Sequence, residues 1–310
     1  MDLEDLCLIS NPPPAEKNNS LTSYHCIFMG DKSQLTARDC VFSSPISPSI
    51  GIKGVGTHCH LINCTFGPDK LRRSSAGVIV SDGASLLAES CLFQRCTAPA
   101  VEVRGAGATG QFIKCRFLKC EYQAAILYCG GSSLVLEECE VNRCGKIPSA
   151  PGLSVGCGTA SVINCRFIDN SSEAIVVQGD PGQDPPVLDV ISSIFKGNLA
   201  GVMFGYGSDG PGGNSGGSGS LFRNDVQQNS QFAVSVYDVL QGGRVRIEGN
   251  RFHANGGPMM EAFSIRCNSS CQERVVFVRN KGSPLPKLSI MPASSESMAR
   301  KMSHEMRGYE

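Results

Sequence analysis

The chain has 310 residues with 28 basic and 28 acidic side chains, so its formal charge at neutral pH is zero. Bulk attraction to nucleic acid or an anionic membrane is therefore not expected. Aromatic residues make up only 6% and tryptophan is absent, which disfavours a stacking platform for sugars or bases.

Residues 1–34 do not follow the pattern that fills the rest of the chain, and the expectation for them is an N-terminal cap. Within them Cys26-Ile-Phe28 imitates the pattern but lies too close to Cys40 for a full repeat. The N-terminus shows no basic segment followed by a long apolar core, and no apolar run approaches the length of a membrane span. Sixteen cysteines in such a chain lead to the expectation of free thiols in a cytoplasmic, reducing compartment.

From residue 35 onward one template returns nine times. It reads "LTARDCVF", "HLINCTF", "LLAESCLF", "QFIKCRF", "VLEECEV", "SVINCRF", "DVISSIF", "LFRNDV" and "RIEGNRF". An apolar residue is followed by two variable ones, a small polar residue or Cys, one variable residue and another apolar one. The small position is Cys40, Cys64, Cys91, Cys115, Cys139, Cys165, Ser193, Asn224 and Asn250. Two residues on, Phe42, Phe66, Phe93, Phe117, Val141, Phe167, Phe195, Val226 and Phe252 form a second column. Three further on, Cys96, Cys120 and Cys144 give way to Asn170, Asn198, Asn229 and Asn255.

Between copies lies a short segment with a period of two, closed by Gly or Asp, as in "AVEVRG" and "AIVVQGD". That is strand periodicity with turn chemistry, too short and Gly-rich for a helix. Two or three short strands per repeat cannot bury their apolar side alone, whereas stacked repeats make a continuous core. The predicted fold is all-β: a single-domain right-handed parallel β-helix, or β-solenoid, of about nine coils over residues 35–282. Residues 283–310 are expected to form a C-terminal tail or a capping helix, with Met298, Met302 and Met306 spaced four apart.

The run "IEGNRFHAN" resembles the repeat of pectate-lyase-like right-handed β-helices. Cysteine in place of that asparagine resembles the intracellular eukaryotic branch, including the β-helix region of certain F-box proteins. The resemblance covers about residues 35 to 282. It implies the fold, and it leaves lyases, hydrolases, epimerases and plain interaction modules all open.

The cysteine columns are expected to be core. Cys, Ser and Asn are each small enough to stack on their own copies, Asn through amide hydrogen bonds and Cys as a small hydrophobe with a weak donor. Parallel side chains about 4.8 Å apart do not meet the geometry of a disulfide. Alternation puts His58 and His60 on the face opposite Cys59, and no Cys-x2-Cys knuckle occurs, so neither metal nor cofactor is expected.

A lyase of this fold needs carboxylates around calcium, and a hydrolase needs converging carboxylates. The outward positions of the second segments offer only Glu102, with Arg104 beside it. Apolar and basic residues predominate there, giving Lys53, Ile79, Arg104, Leu127, Val176, Met203, Tyr237 and Arg266 as candidate binding residues. That mixture suits a protein partner, with carbohydrate as the alternative. The best acidic cluster, Asp180, Asp184 and Asp209, is the alternative for a metal site. The Gly-rich stretch 205–220 is expected to be a flexible insertion. The expected function is a non-catalytic protein-interaction or substrate-recognition scaffold. The alternative is a divergent polysaccharide lyase or glycoside hydrolase.

Overall fold

The computed structural model describes residues 1–9, 26–30, 32–44, 48–67, 77–128, 131–147, 150–179, 184–205, 217–236, 239, 243–256, 263–265 and 274–283. Every described strand belongs to one of three parallel sheets, of eleven, eleven and ten strands. The first sheet runs from Asp2–Glu4 through Gln34–Arg38 and His58–Ile62 to Val275–Val278. The second runs from Cys7–Ile9 through Val41–Ser43 to Lys281–Ser283, and the third from Ile27–Met29 through Ile50–Lys53 to Phe263–Ile265. Each strand pairs with its own counterpart one coil earlier and one coil later, which defines a β-solenoid.

The template is explained by one backbone device repeated at the first corner. In a first-sheet strand Leu35 and Ala37 point inward while Gln34, Thr36 and Arg38 point out. The next residue adopts a left-handed conformation, as in Asp39 (φ 53), Asn63 (φ 52), Ser90 (φ 55) and Lys114 (φ 55). That single residue turns the chain, so the following Cys or Asn also points inward. For a side-chain-bearing residue this conformation costs on the order of 1–2 kcal/mol. The interior hydrogen bonds of the next residue offset it.

Those bonds show why Cys and Asn share a column. Asn224 Nδ2 donates to the Val190 carbonyl at 3.0 Å, and its Oδ1 accepts from the Ser193 N–H at 2.8 Å. The Cys165 thiol donates to the matching carbonyl of Leu136 at 3.3 Å, and its sulfur accepts from the Cys139 N–H at 3.4 Å. The thiol fills the same donor and acceptor roles more weakly. At the second corner the Cys96–Cys120–Cys144 row passes into Asn170, Asn198 and Asn229 in the same way. There the Cys144 N–H donates to Asn170 Oδ1 at 2.9 Å.

Inside the first corner the phenyl rings stack along the axis. Ring centroids of Phe42, Phe66, Phe93 and Phe117 follow one another at 5.0, 4.7 and 4.9 Å. Phe112 meets Phe93 and Phe117 edge-on at 6.1 and 6.0 Å. This column and the inward aliphatic residues of all three sheets make one continuous core.

The nine coils read from the sequence are present, with one more before them and, among the described residues, two strands of a further one after them. The segment expected to cap the N-terminus is itself a coil: Leu3 pairs with Ala37, Leu8 with Phe42 and Ile27 with Ile50. Cys26-Ile-Phe28 leads into its third-sheet strand. At the far end the last second-sheet strand stops at Ser283, and the Met298–Met306 stripe lies outside the described residues.

Twelve cysteines among the described residues form no disulfide, and all but Cys26 are buried. Thiol titration in denaturant without reductant is therefore expected to find nearly all sixteen, while the folded protein reacts slowly. Three or more disulfides would contradict the packing of the ladder.

Candidate binding groove

The outward column of the third sheet changes character along the rod. Lys53 is exposed and lies 3.5 Å from Asp82, Ile79 is half-buried, and Arg104 is exposed with Glu102 at 3.0 Å. Further along, Val176 and Met203 are only 3% and 6% exposed and Ser235 is fully buried. Val176 and Met203 do point away from the coil interior, yet they offer almost no surface to a partner. Leu127 was expected to point outward. Its backbone position pairs with Val103 and Val155, both buried, so it belongs to the inward column. Tyr237, Arg266, Asp180 and Asp209 lie outside the described residues. Asp184 is described and exposed.

The site that sequence reasoning missed is on the outer face of the first sheet, a groove of about 460 Å³. One row along it is Gln34, His58, Ser85, Thr109 and Ser133, and the row beside it is Thr36, His60, Leu87, Gln111 and Val135. These are alternate positions on successive first-sheet strands, so register alone aligns them. At about 4.8 Å per coil, each row extends roughly 19 Å. Among the described lining residues there are hydroxyls, amides, two imidazoles and short apolar groups. The available signal was the run of uncharged polar residues at the outward positions of "QLTAR", "HCHLI", "SLLAE" and "TGQFI".

Both histidines are held from the next coil. His58 Nδ1 is hydrogen-bonded to Ser85 Oγ, and His60 Nε2 lies 2.7 Å from Glu89 Oε1. Between them Cys59 points inward beneath the groove floor, with 3% exposure. Desolvation, with the neighbouring Cys91 adding to it, pushes the Cys59 thiol up to about 12. It stays protonated at neutral pH and does not act as a nucleophile there. The hydrogen bond to Cys115 and then burial push Cys139 up, against a lowering contact from Cys165, to about 12 as well. Among the described residues no group of three or more His, Cys, Asp or Glu side chains converges to hold a metal ion.

The groove offers hydrogen-bonding side chains at the coil spacing. No curated protein matches the sequence. Three solved structures are similar over most of the chain. The catalytic unit of a GH87 α-1,3-glucanase from Streptomyces thermodiastaticus strain HF3-3 is 11% identical, with a TM-score of 0.44. That alignment covers 92% of this chain and 65% of the glucanase unit, so this chain spans less than two thirds of it. QnrB1, a plasmid-mediated fluoroquinolone resistance protein, is 10% identical, with a TM-score of 0.25 and coverage of 99% and 98%. HetL, a pentapeptide repeat protein involved in heterocyst differentiation regulation from the cyanobacterium Nostoc sp. strain PCC 7120, is 9% identical, with a TM-score of 0.24 and coverage of 94% and 92%. A family model described as a right-handed β-helix region matches residues 48–215. With three parallel sheets wound in register around one core, this chain belongs to the right-handed β-helix family.

Proposed function

We propose that the chain is a non-catalytic recognition scaffold in a reducing, cytoplasmic setting, and that it holds an extended segment of a protein partner in the first-sheet groove. The observation that carries this reading is the row Gln34, His58, Ser85, Thr109 and Ser133 of amide, imidazole and hydroxyl groups at the coil spacing, beside a row that mixes such groups with Leu87 and Val135. Such groups match the donors and acceptors of an extended peptide backbone. Phe, Tyr and Trp rings, on which sugars and bases stack, do not figure among the described lining residues.

The carbohydrate-processing reading has one observation in its favour, the His60–Glu89 pair at the groove's edge. Glycoside hydrolysis by the usual route uses two carboxylates about 5–10 Å apart, and the groove brings together imidazoles and hydroxyls instead. Screening the purified chain against immobilised extended peptides and against neutral and acidic glycans separates the two. Peptides are expected to be retained, with affinity falling about tenfold in Gln111→Ala, which is about 1.4 kcal/mol. Calcium is expected to leave the melting temperature unchanged, although saturating a real site at a hundredfold excess over Kd would add about 2.7 kcal/mol. Depolymerisation of pectate, alginate or α-1,3-glucan, with no peptide retained, would replace this reading by the enzyme.

A further inference from the structure

The outer corner between the second and third sheets carries Arg95, Lys119 and Arg143 on three successive coils. They stack in register: the Arg95 N–H donates to the Leu118 carbonyl at 2.9 Å, Lys119 to Asn142 at 2.9 Å and Arg143 to Ile168 at 3.1 Å. All three side chains are exposed, and all three residues are left-handed, with φ of 52, 57 and 55. The corner demands only a residue that tolerates this conformation, and two coils beyond Arg143 the position is filled by Gly197 (φ 69). Nothing in the backbone calls for three cations about 4.8 Å apart, a spacing at which they repel.

Some surface cations are matched from a neighbouring coil, as in Lys53–Asp82, Lys114–Glu138 and Arg116–Glu140, whereas this corner stacks three unmatched ones in a single row. Arg95, Lys119 and Arg143 have no ion pair among the described residues. The next residue in the column, Asp169, lays its carboxylate against Gly197, on the side away from Arg143. Exposed Lys146 extends the ridge. Beside it stand Tyr122 and Ile147, two of the more exposed large hydrophobic residues. Their loops are joined by Gly145 N–H to the Tyr122 carbonyl at 3.1 Å and Ile147 N–H to the Glu121 carbonyl at 3.2 Å.

We propose that this ridge docks an acidic, extended segment of a protein partner that carries apolar side chains next to its carboxylates. Arg and Tyr are the residues that most often anchor protein interfaces, and a guanidinium fork fits a carboxylate in two-point fashion. Same-side residues of an extended peptide lie about 6.8 Å apart, so two carboxylates fit within the roughly 10 Å over which the three stacked backbones extend. The exposed tyrosine and isoleucine supply apolar contact that a phosphate backbone would not use. The chain's zero net charge lacks the broad basic field of a nucleic-acid binder. This inference rests on the recognition reading for the class of partner, while its surface is separate from the groove.

The test uses the full chain and a labelled peptide of about twelve residues alternating Glu with Leu or Phe, read by fluorescence anisotropy. Controls are the same peptide with Lys for Glu, a heparin oligosaccharide and single-stranded RNA. The variant Arg95→Asn/Lys119→Asn/Arg143→Asn keeps residues that tolerate the left-handed conformation, and its melting temperature reports folding. The acidic peptide is expected to bind at least about tenfold more weakly to the triple variant and about threefold more weakly to Tyr122→Ala. Val55→Ala, an exposed residue outside both the groove and the ridge, should leave its affinity unchanged. Equal binding by the parent and the folded triple variant would overturn the ridge, as would tighter binding of heparin or RNA than of the peptide. Loss of this peptide in Gln111→Ala with the triple variant unaffected would move its docking to the groove and remove the ridge, while leaving the recognition reading in place.

Discussion

Replacing Phe117 by alanine is expected to destabilise the fold by about 3–5 kcal/mol. The ring is fully buried. It stacks on Phe93 at 4.9 Å with an interplanar angle of 12° and takes the edge of Phe112 at 6.0 Å. On the opposite side its strand pairs Phe117 with Val141, which is too short to fill the vacancy. The coils cannot close the gap by collapse, because their separation is fixed by the backbone ladders of three sheets. The loss should appear as a lower denaturant midpoint with little change in slope. Val55→Ala, at a side chain 75% exposed, should change stability by less than about 0.5 kcal/mol. Equal effects at the two positions would mean that the inward and outward columns are misassigned.

Asn198→Ala should cost about 3 kcal/mol, and Asn198→Cys roughly half as much. Asn198 Oδ1 accepts from the Asn170 N–H at 3.1 Å and from Asn170 Nδ2 at 2.7 Å. Its own Nδ2 donates to the Phe167 carbonyl at 3.0 Å and to Asn229 Oδ1 at 3.0 Å. Alanine leaves the Asn170 N–H and the Phe167 carbonyl without their side-chain partner inside an apolar core. A thiol restores both contacts in weaker form, as Cys144 does toward the Phe117 carbonyl at 3.5 Å. A cysteine variant no better than alanine would refute the equivalence of the two residues in the ladder.

The Cys and Phe columns were legible because the path from inward aliphatic residue, through one left-handed residue, to Cys-x-Phe keeps the same length in every full coil. Leu127 was assigned outward because Ile126 and Leu127 are both apolar, and alternation alone does not fix the register of their backbone positions. The pairing of Ala125 with buried Val101 decides it. Val176 and Met203 were assigned to the correct side, but alternation reports a direction and not whether that face is covered. The first coil escaped detection because residues 10–25 separate its second-sheet strand from its third-sheet strand. The groove gave no periodic apolar signal, since its rows mix Leu87 and Val135 with the polar residues that any solvated strand face can carry.

Register has a consequence for how this protein can change length. Ser85 pairs with Thr109, Leu92 with Arg116 and Val101 with Ala125, so the offset between these two coils is the same in all three sheets. Excising residues 92–115 joins Cys91 to Arg116 and sets every later strand one place nearer the N-terminus without rotating a single side chain. "CLFQRC" and "CRFLKC" keep Cys, Phe and Cys at the same places, as equivalent positions on neighbouring coils require. Excision would also carry away Arg95 and bring Lys119 into its place, shortening the basic ridge by one cation. Gain or loss of a coil therefore lengthens or shortens the solenoid in whole steps of one coil, while the register of all three sheets is kept.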